Sequence, residues 1–379
     1  MSEGSRAAKP ANLPPLPLPP GIHSRYLTDV NGLSMHLLEA GSQGDSPLVL
    51  LLHGFPELAY SWRELILPLA QAGFHVVAPD QRGYGRTEGW DSTYDGDLTA
   101  FRMTELVRDV LALVQTLGYC EVHTVIGHDF GSPVAGYCAL IRPDVFRRVV
   151  LMSAPFGGAP RRRSNPASIG INEALGQLDP PRKHYQWYYS TREADRDIRE
   201  CPQGLHDFFR AYYHFKSADW PGNQPHALRA SVGELAQLPT YYIMNAEENM
   251  AETVAPHMPS QATIDACRWL SDAELAVYTS EFGRTGFQGA LQWYRCNLPG
   301  GMNSELDLFA GQTIDVPSLF IAGKSDWGVF QLPGSFESMQ IVACTDMRGV
   351  HLVEGAGHWV QQERPRETLD LLLPFLGSD

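Results

Sequence analysis

One pentapeptide constrains this chain more than any other stretch. Residues 122–126 are mostly β-branched or apolar, the composition of a buried strand, and the run stops at Gly127. From residue 131 to 140, small residues and a periodic apolar pattern predict a helix. Between them stands Gly127-His128-Asp129-Phe130-Gly131. A chain that turns from strand to helix this sharply brings two backbones together, and glycine on both sides of the turn residue permits the approach. The residue at the apex is pushed outward over the end of the sheet. Here it is Asp129.

In a G-x-S-x-G elbow the apex residue is a nucleophilic serine. An aspartate changes the chemistry. Its carboxylate is already ionised at pH 7 and needs no base in order to attack. It suits displacement at a saturated carbon, which leaves an alkyl ester on the protein. Water must then attack the ester carbonyl, and that step requires a base and an oxyanion hole. The competing reading of Asp129 is a helix N-cap, a position that aspartate favours.

The 379 residues allow one large domain with an insertion, or two domains. A net charge of -14 argues against nucleic acid and anionic membranes as partners. The six cysteines are scattered, with no C-x-x-C pair and no metal-site spacing, so no metal is expected and a reducing compartment is. No apolar run approaches the roughly 18 residues of a membrane span. Residues 1–20 lack the apolar core of a secretory signal, so the expected location is cytoplasmic.

Residues 1–23 form a proline-rich arm, and its run Leu13-Pro-Pro-Leu-Pro-Leu-Pro-Pro20 predicts an extended segment, in part polyproline II. A core begins at residue 24. Asn31-Gly32 sits between two alternating stretches and predicts a type I′ hairpin over 25–40. Strands follow at 48–52, 74–78 and 148–152, with helices at 61–71 and 101–117. Over 157–299 strand signals vanish. Aromatic, helix-patterned segments take over and predict a helical cap, with 220–260 as a long cap loop. Strand grammar resumes at 318–323 and 349–353, and a closing helix is expected at 366–376. The domain reading is therefore a core at 24–156 and 300–379 around a cap at 157–299. Strands alternating with helices imply an α/β fold with a mostly parallel sheet flanked by helices.

An elbow nucleophile needs an acid and a histidine at the ends of later strands, in that order. Asp326 follows the strand at 318–323, and His358 follows the strand at 349–353. After 148–152 the chain reads Ser153-Ala154-Pro155, with no carboxylate to compete with Asp326. His358 is then the base that takes a proton from water, and Asp326 orients it. The backbone N–H groups of Phe55 and Phe130 are the expected oxyanion hole. His53 and His128 are read as scaffold.

These residues carry a resemblance. His53-Gly-Phe-Pro56 with Ser61-Trp-Arg63, the Asp129 elbow, Asp326 and Gly357-His-Trp359 resemble an epoxide hydrolase of the α/β-hydrolase fold. The resemblance runs from about residue 24 to the end. It implies two cap tyrosines that hold the epoxide oxygen and donate a proton. One belongs to a Tyr-Gln-x-Tyr segment, here Tyr185-Gln-Trp-Tyr188. The other precedes a G-F-x-G-x-L-x-W-Y-R segment, here 286–295, which puts Tyr278 in register. Tyr188, Trp327, Trp359 and Pro56 are expected to line the pocket. The implied substrates are a small apolar epoxide and water, with no metal or organic cofactor, and a monomer or homodimer. Phe130 stands where many members of the family have tryptophan, but only its backbone N–H is required.

Two other readings share parts of this pattern. Haloalkane dehalogenases use the same aspartate and histidine but hold halide with ring N–H groups, and Phe130 has none. Fluoroacetate dehalogenases usually place arginine after the nucleophile. A non-catalytic binding protein on the same fold would not need nucleophile, base, acid and tyrosine pair together.

Overall fold

The elbow strand lies inside an eight-stranded sheet. In the computed structural model, which describes residues 13–44, 46–160, 170–298 and 302–377, the sheet order is β1-β2-β4-β3-β5-β6-β9-β10. The strands are β1 (His23–Val30), β2 (Leu33–Ala40), β3 (Leu48–Leu52), β4 (His75–Pro79), β5 (Thr124–His128), β6 (Val149–Met152), β9 (Ser318–Gly323) and β10 (Met347–Val353). β2 runs antiparallel to β1 and β4, and the remaining pairs are parallel. The β1–β2 turn carries positive φ at both Asn31 and Gly32 (50° and 80°), as a type I′ hairpin requires. Residues 1–12 of the arm, and 161–169 and 299–301 near the expected cap boundaries, lie outside the described residues.

Alternation along the strands builds a core on each face. On one face Val49 and Leu51 meet Trp62, Leu65 and Leu69, together with Leu372 and Phe375 of the closing helix Pro365–Leu376. On the other, Leu48, Leu50 and Leu52 join Val107, Val110 and Leu113 of the helix Met103–Thr116. At the elbow, a Cβ on Gly127 would lie 2.0 Å from the Gly131 carbonyl oxygen, and one on Gly131 would lie 2.1 Å from that of Leu52. Both positions exclude any side chain.

The cap is inserted between β6 and β9. Its helices Gly204–Lys216 and Asp272–Thr285 pack together, and Gln288–Asn297 bridges Tyr185–Tyr189 to the core turn Leu98–Phe101. Two expectations for this region are corrected. The cap contains a strand pair, β7 (Arg182–His184) antiparallel to β8 (Ile243–Asn245). The segment 220–260 is also not one loop, because it holds β8 and the short helices Val232–Leu235 and Met250–Val254. The second of these starts with a reciprocal Asn249–Glu252 capping box, which satisfies two backbone donors. The described part of the arm, from residue 13, docks on the core: Leu16 and Leu18 pack against it, and the Tyr60 hydroxyl donates to Pro17 O at 3.3 Å. Among the described residues no helix is long and apolar enough to cross a membrane.

Candidate active site

Asp129 adopts φ 52°, a left-handed conformation that few side chains tolerate. The turn holds it there. Its N–H donates to Met152 O at 3.1 Å, and its carbonyl accepts from Ser132 N at 3.0 Å. Its carboxylate Oδ1 accepts the Phe55 N–H at 2.9 Å. Gly54 makes room for this, since a Cβ there would lie 2.4 Å from Oδ1 and 2.6 Å from the Phe130 nitrogen. The two expected oxyanion donors therefore border one crevice beside the nucleophile.

The base and its orienter fall into line behind Asp129. His358 Nε2 is 3.2 Å from Asp129 Oδ2, and Nδ1 is 3.1 Å and 3.2 Å from the two Asp326 oxygens. A carboxylate facing Nδ1 holds a proton there and orients the ring so that Nε2 faces Asp129. Asp326 is itself held by the Gly328 N–H at 2.7 Å. Burial pushes the Asp129 carboxyl up, but the His358 ring and then Lys216 and His128 outweigh it and hold it far below the ordinary range. For Asp326 the same contest ends the same way: burial raises it, and His358 and the Gly328 N–H bring it below its usual value. Both are carboxylates at neutral pH.

A further layer fixes the histidine loop. The His358 carbonyl accepts from His128 Nε2 at 2.7 Å and from the Ser153 hydroxyl at 3.0 Å. His128 Nδ1 is 2.6 Å from Glu57 Oε2, and Glu57 Oε1 accepts the side-chain amides of Gln361 and Gln362, each at 2.9 Å. Glu363 accepts the backbone N–H groups on both sides of His358, from Gly357 at 2.9 Å and Trp359 at 3.0 Å, and that of Ala218 in the cap at 2.9 Å. Sequence reasoning missed Glu57, Lys216 and Glu363. The one signal for Glu57 was its place directly after His53-Gly-Phe-Pro56. His53 and His128 are scaffold as expected: His53 meets Gly54 O at 3.0 Å and accepts the Gln81 N–H at 3.1 Å.

The two cap tyrosines are placed differently. The Tyr185 hydroxyl donates to Gln331 Oε1 and accepts from Gln186 Nε2, both at 3.1 Å. Burial, then the charge of Asp129, pushes this phenol well above its ordinary value, so it stays protonated and able to donate. Tyr278 is fully buried and donates to Gln362 Oε1 at 3.1 Å. Arg63 also donates to that oxygen, at 2.7 Å, and the guanidinium makes it a strongly polarised acceptor. Burial raises the Tyr278 phenol, and the charges acting on it are led by Arg63 and Glu57. The structure thus brings Tyr185 into the field of Asp129, while the Tyr278 hydroxyl is engaged by Gln362.

The residues expected to line the pocket also separate. Phe55 and Phe130 share an aromatic wall with Tyr294, at ring centroid distances of 5.4 Å and 5.1 Å. Trp359 stands beside His358 at 4.7 Å and stacks on Tyr213 at 4.3 Å, with its indole N–H on Tyr213 O. Pro56 contributes a carbonyl that accepts the Tyr213 hydroxyl at 3.2 Å. Trp327 packs on His226 next to Asp326. Tyr188 turns its hydroxyl to Asp197 at 3.3 Å and its ring to Lys183, so its polar end is engaged within the cap.

Comparison with known proteins agrees with this geometry. A family model of the alpha/beta hydrolase fold matches residues 47–196. The chain is 35% identical to epoxide hydrolase A of Mycobacterium tuberculosis over 365 residues, covering 94% of this chain and 98% of that protein. Among solved structures, an epoxide hydrolase from an endophytic Streptomyces is 33% identical with a TM-score of 0.76, covering 94% of this chain and 96% of its own. Epoxide hydrolase A from Mycobacterium thermoresistibile is 32% identical with a TM-score of 0.73, covering 94% and 98%. Identity of 35% to a curated epoxide hydrolase along 94% of the chain, with the same fold in solved epoxide hydrolases, places this protein in the epoxide hydrolase family of the α/β-hydrolase fold.

Proposed function

We propose that this chain converts epoxides and water to vicinal diols through a hydroxyalkyl ester on Asp129. The observation that carries the reading is the ionised Asp129 held 3.2 Å from His358 Nε2, with a buried phenol, Tyr185, in its field. An Asp129 oxygen attacks one ring carbon, the C–O bond to that carbon breaks, and the opening oxygen takes the Tyr185 proton. Tyr278 is the second phenol of the proposal, reached when its hydroxyl exchanges Gln362 for the epoxide oxygen. His358 then removes a proton from water, and the hydroxide adds to the ester carbonyl. The Phe55 and Phe130 N–H groups hold the resulting oxyanion. Collapse breaks the acyl C–O bond and releases the diol with the oxygen that Asp129 supplied, the departing oxygen taking the His358 proton and the proton left on the Asp129 carboxyl passing back to Tyr185. The aromatic wall around Phe55, Phe130 and Tyr294 favours apolar, aryl-bearing epoxides.

The oxygen ledger tests this route. With enzyme in excess over styrene oxide in ¹⁸O-water, the first turnover should give unlabelled diol, because the new oxygen comes from Asp129. Under multiple turnover the label should appear in the diol. Label in the first turnover would mean direct attack by water and would sink the covalent route. Tyr185→Phe is expected to slow ester formation by about 10²-fold, the usual cost of removing one donor to a developing oxyanion. Stopped-flow tryptophan fluorescence under single turnover reads that rate, and a loss of less than twofold would remove Tyr185 from the mechanism.

A further inference from the structure

Lys216 ends the cap helix Gly204–Lys216 and is only 3% exposed. Its ammonium is surrounded by ring faces, with centroids at 4.9 Å for Tyr242, 5.4 Å for Trp359, 5.5 Å for Tyr212 and 5.7 Å for Tyr241. Among the described residues it forms no direct ion pair, and the charges that act on it are Asp129, Asp326 and Glu57. A buried ammonium is costly unless its surroundings compensate. Here the π faces supply part of that compensation, and the three carboxylates supply the rest through space. The same carboxylates surround the base.

The groups facing His358 come from five places. They are Asp129 at the elbow, Asp326 after β9, His128 at the end of β5, Glu57 after β3 and Lys216 at the end of the cap helix, beside Glu363 on the same segment as the histidine, whose carboxyl burial pushes up to about 7 while it holds the N–H groups on either side of His358. Three carboxylates surround one imidazole, and a base can take a proton from water only at a free ring nitrogen. When Asp129 becomes an ester it loses its charge, but Asp326 and Glu57 keep theirs. Lys216 is the cation set against them: burial pulls its ammonium below the ordinary lysine value, and Asp129, Asp326 and Glu57 act to keep it charged. It is also tied to the base mechanically, because the Lys216 carbonyl accepts the His358 N–H at 2.9 Å. A Cβ on Gly357 would lie 2.6 Å from that same carbonyl oxygen, so the two backbones meet without room to slide.

We propose that Lys216 is a positioning residue for ester hydrolysis, whose ring-caged ammonium offsets the buried carboxylates around His358 and keeps the imidazole free to take a proton from water. This rests on the reading that Asp129 carries an ester. The proton passes from water to His358 Nε2 as hydroxide adds to the carbonyl, and returns to the departing diol oxygen. No other reactant is needed.

The test follows ester hydrolysis in single turnovers of styrene oxide between pH 5.5 and 9, by rapid quench and intact mass, for wild type, Lys216→Met and Lys216→Arg. All three should form the ester. In Lys216→Met the acid limb of hydrolysis should move up by about one pH unit, the effect of removing one nearby unit charge in a partly screened interior. The ester should therefore accumulate near pH 6. Lys216→Arg should keep the wild-type limb. A lower rate at every pH with the limb unmoved would show that Lys216 only packs the cap, and would overturn the proposal. Lys216→Gln repeats the measurement if the Met variant does not fold. A wild type that never forms an ester removes the epoxide reading itself, a result separate from an ester that forms while the limb stays put.

Discussion

Asp129→Asn should lose more than about 10⁴-fold in epoxide turnover while melting close to wild type, on the scale seen when a covalent nucleophile is removed. The carboxamide is neutral, so it is a poor nucleophile toward a saturated carbon. The fold should tolerate it for local reasons. Asparagine is one of the residues that accept the left-handed region, where Asp129 sits at φ 52°. Its amide oxygen can keep the Phe55 N–H bond now 2.9 Å long. Diol formation from styrene oxide, followed by chromatography beside a thermal melt, reads both effects. A folded variant with turnover within tenfold of wild type would mean that Asp129 is not the nucleophile, and would return it to the role of a turn residue.

His358→Gln should trap the intermediate. Attack by an ionised Asp129 needs no base, so ester formation survives. Hydrolysis loses its proton acceptor and should slow by about 10³-fold or more, within the range of general-base contributions. Intact mass after exposure to styrene oxide should show an added mass equal to the whole epoxide. The double variant Asp129→Ala/His358→Gln should show none. An adduct from haloalkanes that lacks the halide, with nothing from epoxides, would make the protein a dehalogenase. A folded protein silent to both classes would favour a binding function.

The core and triad were legible because their signals are local. Residues 318–323 form a continuous apolar run and became β9 with those limits. The glycines at 127 and 131 bracket Asp129 because two backbones approach within van der Waals contact there. The cap was less legible because its structure is made by distant partners. Arg182–His184 has no alternation of its own and is a strand only by pairing with Ile243–Asn245. The 220–260 segment hides its order in short capped turns, such as the one Asn249 opens, which are too brief to show a period. Glu57 was missed because its partner is set by the fold: His128 lies 71 residues away. Tyr278 shows the limit of register. Its place in the chain marked it, but its hydroxyl partner is Gln362, 84 residues on.

The link between the Lys216 carbonyl and the His358 N–H, with Glu363 grasping Ala218 alongside it, bears on how such enzymes can be recombined. The cap is not an interchangeable module. One of its contacts with the hydrolase body is the backbone of His358, so a transplanted cap whose first long helix ends half a turn early is expected to misplace that imidazole before it alters any specificity. Crossover points for chimaeras therefore belong on the far side of this seam, with residues 216–218 inherited together with 357–363 from one parent. Diversity in substrate range is more freely drawn from the aromatic wall, which touches neither strand of that seam.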